Sequence, residues 1–176
     1  SPEEVNKAEL TQWLRDNNLE VSAISSGQVF AARGLSFTDE DPEKRAELYQ
    51  SFCQFIDLAS DYGNLVNIGR TRGPIAGREY AYAESLFLDM AHKVADYAEK
   101  RGVTLILEPV NRYEIDFLNN LDQTSAMLRK INRPSFQMMP DVFHMNIEDD
   151  HIGDSFIRNK EWVRYVHFAD TNRHAP

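Results

Sequence analysis

From residue 19 to residue 169, short apolar runs and longer amphipathic segments take turns, and that alternation leaves few folds open. Segments 19–26, 65–68, 103–108, 136–140 and 163–169 read as strands. Helices are expected over 3–16, 42–62, 79–101, 121–131 and 151–160, with residues 28–41 as a polar loop. The punctuation agrees. Asn17-Asn18 stops the first helix, and Asp41-Pro42 opens the second with proline at the first helical position. Gly102 closes the third, and Arg133-Pro134 ends the fourth. Strands alternating with helices imply an α/β fold, a parallel sheet covered by helices. No strand is followed by a glycine-rich dinucleotide fingerprint.

The pattern begins on a helix and finishes on a strand. A (β/α)8 TIM barrel takes about 250 residues, and this sequence has 176. The expectation is one partial barrel domain over residues 1–176 with about five strands. One or two further strands would precede it and one would follow. An open five-stranded sheet is the alternative. Open sheet edges must be paired or covered, which favours a homo-oligomer.

Charge narrows the function. The net charge of −9 repels a phosphodiester backbone, so nucleic acid is not an expected partner. No apolar run approaches the roughly 18–20 residues of a membrane span, and the first residues lack a signal-peptide pattern. The single cysteine, Cys53, lies in an apolar helical pattern and reads as core. It rules out an internal disulfide framework and fits a reducing, cytoplasmic setting.

Three of the apolar runs end in side chains that can bind metal: Glu108, Asp141 and His167. All strand C-termini of a parallel barrel lie on one face, where active sites are built. Two carboxylates and an imidazole suit a divalent cation such as Mn²⁺, Co²⁺, Zn²⁺ or Mg²⁺. Taken singly, each residue has a plainer reading. Glu108 could pair with Arg112, Asp141 could start a loop, and His167 could be a satisfied core group. Glu114, His144 and Arg173 follow the three strand ends and could hydrogen-bond a polyhydroxylated substrate. Arg70 and Arg72, between Gly69 and Gly73, could bind a phosphate or carboxylate, or could simply be solvated.

Leu107-Glu108-Pro109-Val110-Asn111-Arg112-Tyr113-Glu114, Asp141-Val142-Phe143-His144 and His167-Phe168-Ala169-Asp170-Thr171-Asn172-Arg173 together resemble the sugar isomerase/epimerase family with the xylose-isomerase-like barrel. The match is nearest the ketose 3-epimerases of the tagatose/psicose type. The resemblance implies that Glu108 is both metal ligand and catalytic carboxylate. It makes Asp141 and His167 metal ligands, and Glu114, His144 and Arg173 substrate contacts. It also implies a second catalytic glutamate, a fourth ligand, on a later strand. The implied activity is metal-dependent proton transfer through an enediolate of a sugar or sugar phosphate. A lyase or dehydratase on the same barrel and an inactive fragment are the alternatives. A DNA-repair endonuclease on this barrel is disfavoured by the charge and by a total of five histidines.

Overall fold

The structure, a computed structural model, describes residues 5–175. Strands β1 (Ile24–Ser25), β2 (Leu65–Ile68), β3 (Thr104–Leu107) and β4 (Phe136–Met138) lie side by side in chain order, every pair parallel. Val66 stands opposite Ile24 on one side and Leu105 on the other, and Leu105 stands opposite Phe136. Residues 163–167 extend the sheet through two bridges, Met138 to Val163 and Asp141 to His167.

The sheet is rolled. The Tyr165 hydroxyl donates to Ser22 Oγ at 3.1 Å, although one precedes the first strand and the other lies on the fifth line of chain. In a flat sheet, four steps of about 4.8 Å would hold those lines about 19 Å apart. This is the curvature of a barrel wall and excludes the open-sheet alternative.

Helices α3 (Pro42–Asp61), α4 (Tyr80–Arg101) and α5 (Leu121–Ile131) pack on the strands from the convex side, while α2 (Gly27–Arg33) sits against the turn after β2, and α7 (Ile152–Asn159) packs on α5 and on α6 (Val142–Glu148). Outward-facing Val66, Ile68, Leu105, Leu107, Phe136 and Met138 pack against Phe52 and Ile56 of α3 and Phe87 and Val94 of α4. Phe37 joins both helices, meeting Phe52 edge-on at 5.0 Å and Phe87 at 5.6 Å. Asp41 caps α3 by accepting from Glu43 N–H at 2.8 Å, with Pro42 just behind it. No helix among the described residues is long and apolar enough to cross a membrane.

Several expectations are corrected. The strand over 19–26 contracts to Ile24–Ser25, and the expected polar loop opens with α2. Val29 buries one side of α2, and Gly34 stops it in the left-handed conformation at φ 64°. The expected first helix, over 3–16, is α1 (Lys7–Asp16), capped by Asn6; residues 3–4 lie outside the described residues. None of its residues is buried, so the apolar stripe with Trp13 does not enter the core. The strand over 163–169 survives only as the two bridges, and α6 forms where no helix was expected. Cys53 is half-buried rather than sealed in the core, and burial pushes its thiol pKa up.

After β2 the chain tightens into a 3₁₀ turn, Arg70–Arg72, and sends Arg72 inward. Its guanidinium is fully buried. Nε donates to Phe117 O at 2.6 Å, Nη1 to Glu108 O at 2.7 Å and Gly69 O at 3.2 Å, and Nη2 to Val110 O at 3.3 Å. Burial lowers its pKa to about 9, against the opposing pull of Glu108 and Glu114. Arg72 is therefore a staple between the loops after β2 and β3. Its expected role as a contact for a substrate anion is corrected, because its donors are spent on backbone carbonyls. Arg72→Leu would strand those buried acceptors, and we expect a loss of about 3 kcal/mol in denaturant unfolding. Arg72→Lys should recover little of it, since an ammonium cannot reproduce the planar fork. An unchanged unfolding midpoint would contradict the staple.

Candidate active site

Residues two apart on a strand share a face. On the concave side Leu65, Ile106 and Met139 pack together with Ala23 and Tyr165 against them, one residue from each of the five lines of chain. Two residues further along each line stand Ser25, Asn67, Glu108, Asp141 and His167. An apolar floor thus lies beneath a polar level, and that level sits at the C-terminal ends of the strands.

Glu108 directly follows β3, with 8 % of its surface exposed. Its Oε2 accepts from Asn67 Nδ2 at 3.0 Å, and its Oε1 lies 3.5 Å from His167 Nδ1. Arg112, the plainer partner considered for Glu108, instead grips Glu148 through Nε and Nη2 at 2.8–3.1 Å. Burial pushes the Glu108 carboxyl up. Hydrogen bonds from His167 and Asn67, and the charges of His167 and His144, outweigh it and hold the pKa below the ordinary range.

Asp141 divides its two oxygens. Oδ1 caps α6 by accepting from Phe143 N–H at 2.9 Å. Oδ2 faces the cluster, 3.9 Å from His167 Nδ1, 3.9 Å from an Arg173 nitrogen and 4.0 Å from His144 Nε2. The backbone fixes this corner, because His167 N–H donates to Pro140 O at 2.9 Å and Val142 N–H to His167 O at 3.1 Å.

The carboxylates of Glu108 and Asp141 and a ring nitrogen of His144 come within 4.8 Å of one another, a group able to hold a cation. His167 Nδ1 faces the same two carboxylates, so two imidazoles compete for the third position. Hydrogen bonding separates them. The backbone N–H of Asn111 donates to His144 Nδ1 at 3.3 Å, with Asn111 Nδ2 at 2.8 Å. That nitrogen is therefore an acceptor, and a neutral ring carries its proton on Nε2, toward the cluster. His144 is a donor there, and burial lowers its pKa despite nearby Asp141 and Glu108. His167, 47 % exposed at the side chain, offers Nδ1 to both carboxylates. Its hydrogen bond to Glu108 raises its pKa.

Around this cluster runs an outer ring. Glu114 Oε1 accepts from Arg173 Nη1 at 3.2 Å, and its Oε2 lies 3.8 Å from Arg70 Nε. The Arg173 guanidinium lies 4.6 Å from the Phe143 ring centroid, and Arg70 lies 5.8 Å from that of Phe30. Arg173 adopts φ 66°, turned back at a tight turn in which its N–H meets Asp170 O at 2.8 Å. Of the eight residues singled out in the sequence, seven converge here and Arg72 does not. Asn67 was missed, because inside Leu65-Val66-Asn67-Ile68 it reads as one polar position in a strand. His92, in α4, is satisfied by Ile131 O at 3.2 Å and has no part in the site.

These couplings give a pH signature without divalent ions. A histidine with a raised folded pKa contributes stability that is complete below its ordinary value of 6.5 and lost as pH rises through the folded value. The groups facing His167 are Glu108, Asp141, Arg173 and the Tyr165 ring. Urea unfolding should show wild type exceeding His167→Asn by more at pH 5.5 than at pH 8.5. Equal differences at both would contradict the coupling.

A family model described as xylose isomerase-like TIM barrel matches residues 1–176. A ketose 3-epimerase from Arthrobacter globiformis is 40 % identical over 81 residues, covering 46 % of this chain and 28 % of that protein. An L-ribulose 3-epimerase from Methylomonas sp. is 31 % identical over 106 residues, covering 60 % and 36 %. The matched chain therefore spans about a third of these relatives' length. The solved D-allulose 3-epimerase from Methylomonas sp., in complex with D-allulose, superposes with a TM-score of 0.83 at 25 % identity, covering 98 % of this chain and 60 % of that one.

Proposed function

The chain belongs to the xylose isomerase-like TIM barrel family, and from that premise we propose that it forms the greater part of the active site of a divalent-metal-dependent ketose epimerase, a 3-epimerase first and an aldose–ketose isomerase second. The observation that supports this most is the convergence of Glu108, Asp141 and His167 at one level of the rolled sheet, with nitrogen-to-oxygen distances of 3.5 and 3.9 Å. The donor set fits a hard or borderline cation such as Mn²⁺, Co²⁺, Mg²⁺ or Zn²⁺. Glu108, Asp141 Oδ2 and His167 Nδ1 would hold it, and His144 would stay outside because its proton faces inward. When bound, the cation supplies polarisation of a ketose carbonyl and the neighbouring hydroxyl.

The residues then have distinct tasks. Glu108, whose carboxyl is held below the ordinary range in the metal-free site by His167 and Asn67, is the carboxylate placed to take the weakly acidic proton beside the carbonyl. His144 Nε2–H is a donor for a substrate oxygen, set by Asn111. Glu114, Arg173 and Arg70 form the rim that meets the remaining hydroxyls, and Arg70 is placed for a phosphate or carboxylate if the sugar bears one. The Arg112–Glu148 pair ties the loop after β3 to α6 and holds Asn111 in register. Three-epimerisation also needs an acid on the opposite face of the enediolate, which the resemblance assigns to a glutamate of a later strand.

The test is hydrogen exchange at carbon. In deuterated water the Mn²⁺-loaded protein should place deuterium at C3 of a ketose. Chelation should abolish this, and Glu108→Gln should slow it at least about 10³-fold. Deuterium appearing only at C1 would favour the isomerase. No exchange with any ketose would reject the proposal.

A further inference from the structure

Asn67 lies in the polar level yet has no place in the roles above. It is 8 % exposed. Its amide has two ends and Glu108 decides which faces where. An ionised carboxylate only accepts, so the NH₂ end must turn to Glu108 Oε2, 3.0 Å away. That leaves Asn67 Oδ1 buried with no hydrogen-bond partner among the described residues. A buried acceptor left unpaired costs about 1–3 kcal/mol, so a donor is owed at this position.

The space beside it shows where such a donor can come from. Gly69 follows Asn67 on the same face of the strand. A Cβ at residue 69 would stand 3.0 Å from Glu108 Oε2, 3.8 Å from Asn67 Oδ1 and 3.9 Å from Asn67 Nδ2. The absent side chain therefore leaves a notch over both the amide and the carboxylate. The floor beneath is apolar, with Leu65 and Ile106, and offers no donor.

We infer that Asn67 is a substrate-binding residue that reads a hydroxyl: its NH₂ holds Glu108 while its Oδ1 accepts from a sugar hydroxyl lodged in the notch over Gly69. This rests on the ketose reading above. It makes one hydroxyl a required feature of the substrate and places it next to the carbon that Glu108 addresses.

The experiment is calorimetric binding of a ketose and its monodeoxy analogues to the Mn²⁺-loaded protein, wild type and Asn67→Ala. The parent ketose should bind the variant about tenfold more weakly. One monodeoxy analogue should bind both proteins alike, because it lacks the hydroxyl that Oδ1 takes. If every analogue loses the same factor as the parent, or the variant binds like wild type, the inference is overturned. Should Asn67→Ala fail to fold, a crystal structure of wild type with the ketose decides instead. A sugar oxygen within about 3.2 Å of Oδ1 supports it, and a water alone at that position overturns it. Hydrogen exchange at C3 separates the two claims. Exchange without the analogue pattern removes only the role of Asn67. The pattern without exchange removes only the epimerase reading.

Discussion

A carboxylate at the closed end of an apolar strand is the constraint around which this molecule is arranged. Glu108 follows Leu105, Ile106 and Leu107, all fully buried, and is nearly sealed itself. Stripping a carboxylate of water is costly unless hydrogen bonds and opposite charge compensate. The compensation arrives from neighbouring lines of chain: Asn67 on one side, His167 on the other, and the buried Arg72 guanidinium donating to the backbone carbonyl of Glu108 itself. The loops inherit their courses from this. Arg72 draws the turn after β2 against the loop after β3, and Asp116 draws residues 75–76 in by accepting from Ile75 and Ala76 N–H at 2.7 and 3.0 Å.

A compensated buried charge also sets the chemistry. The partners that stabilise ionised Glu108 without a metal are those a divalent cation would replace or share. His167 holds its proton for the two carboxylates and must release it to become a ligand. At His144 the backbone N–H of Asn111 instead takes up Nδ1 and leaves the proton of a neutral ring on Nε2, so two similar imidazoles present different atoms to the carboxylates. The tight Arg112–Glu148 pair keeps that N–H in place from the far side of the loop.

Much of this was legible in the residues. An acid or imidazole ending an apolar run is conspicuous because such runs otherwise avoid charge, and Glu108, Asp141 and His167 stood out for that reason. Chain order then brought them to one face, because parallel strands end together. What could not be read depended on tertiary direction. Arg70 and Arg72 sit in one short motif, yet a single 3₁₀ turn sends one to the rim and the other into the core. Asn67 was hidden because its importance comes from Glu108, 41 positions away. Helices α2 and α6 are 7 residues each, too short for a clear period, and are held by packing and a cap rather than by propensity. Helix α1 erred the other way, with a good apolar pattern that finds no core in this structure.

The central claim is that the polar level at the strand ends is a metal centre of defined composition. Anomalous diffraction at the manganese edge from crystals grown with Mn²⁺ tests it most directly. One peak is expected, bonded by Glu108, Asp141 and Nδ1 of His167, with His144 turned toward it but not ligating. No peak there, or a peak bonded by His144 in place of His167, would contradict it.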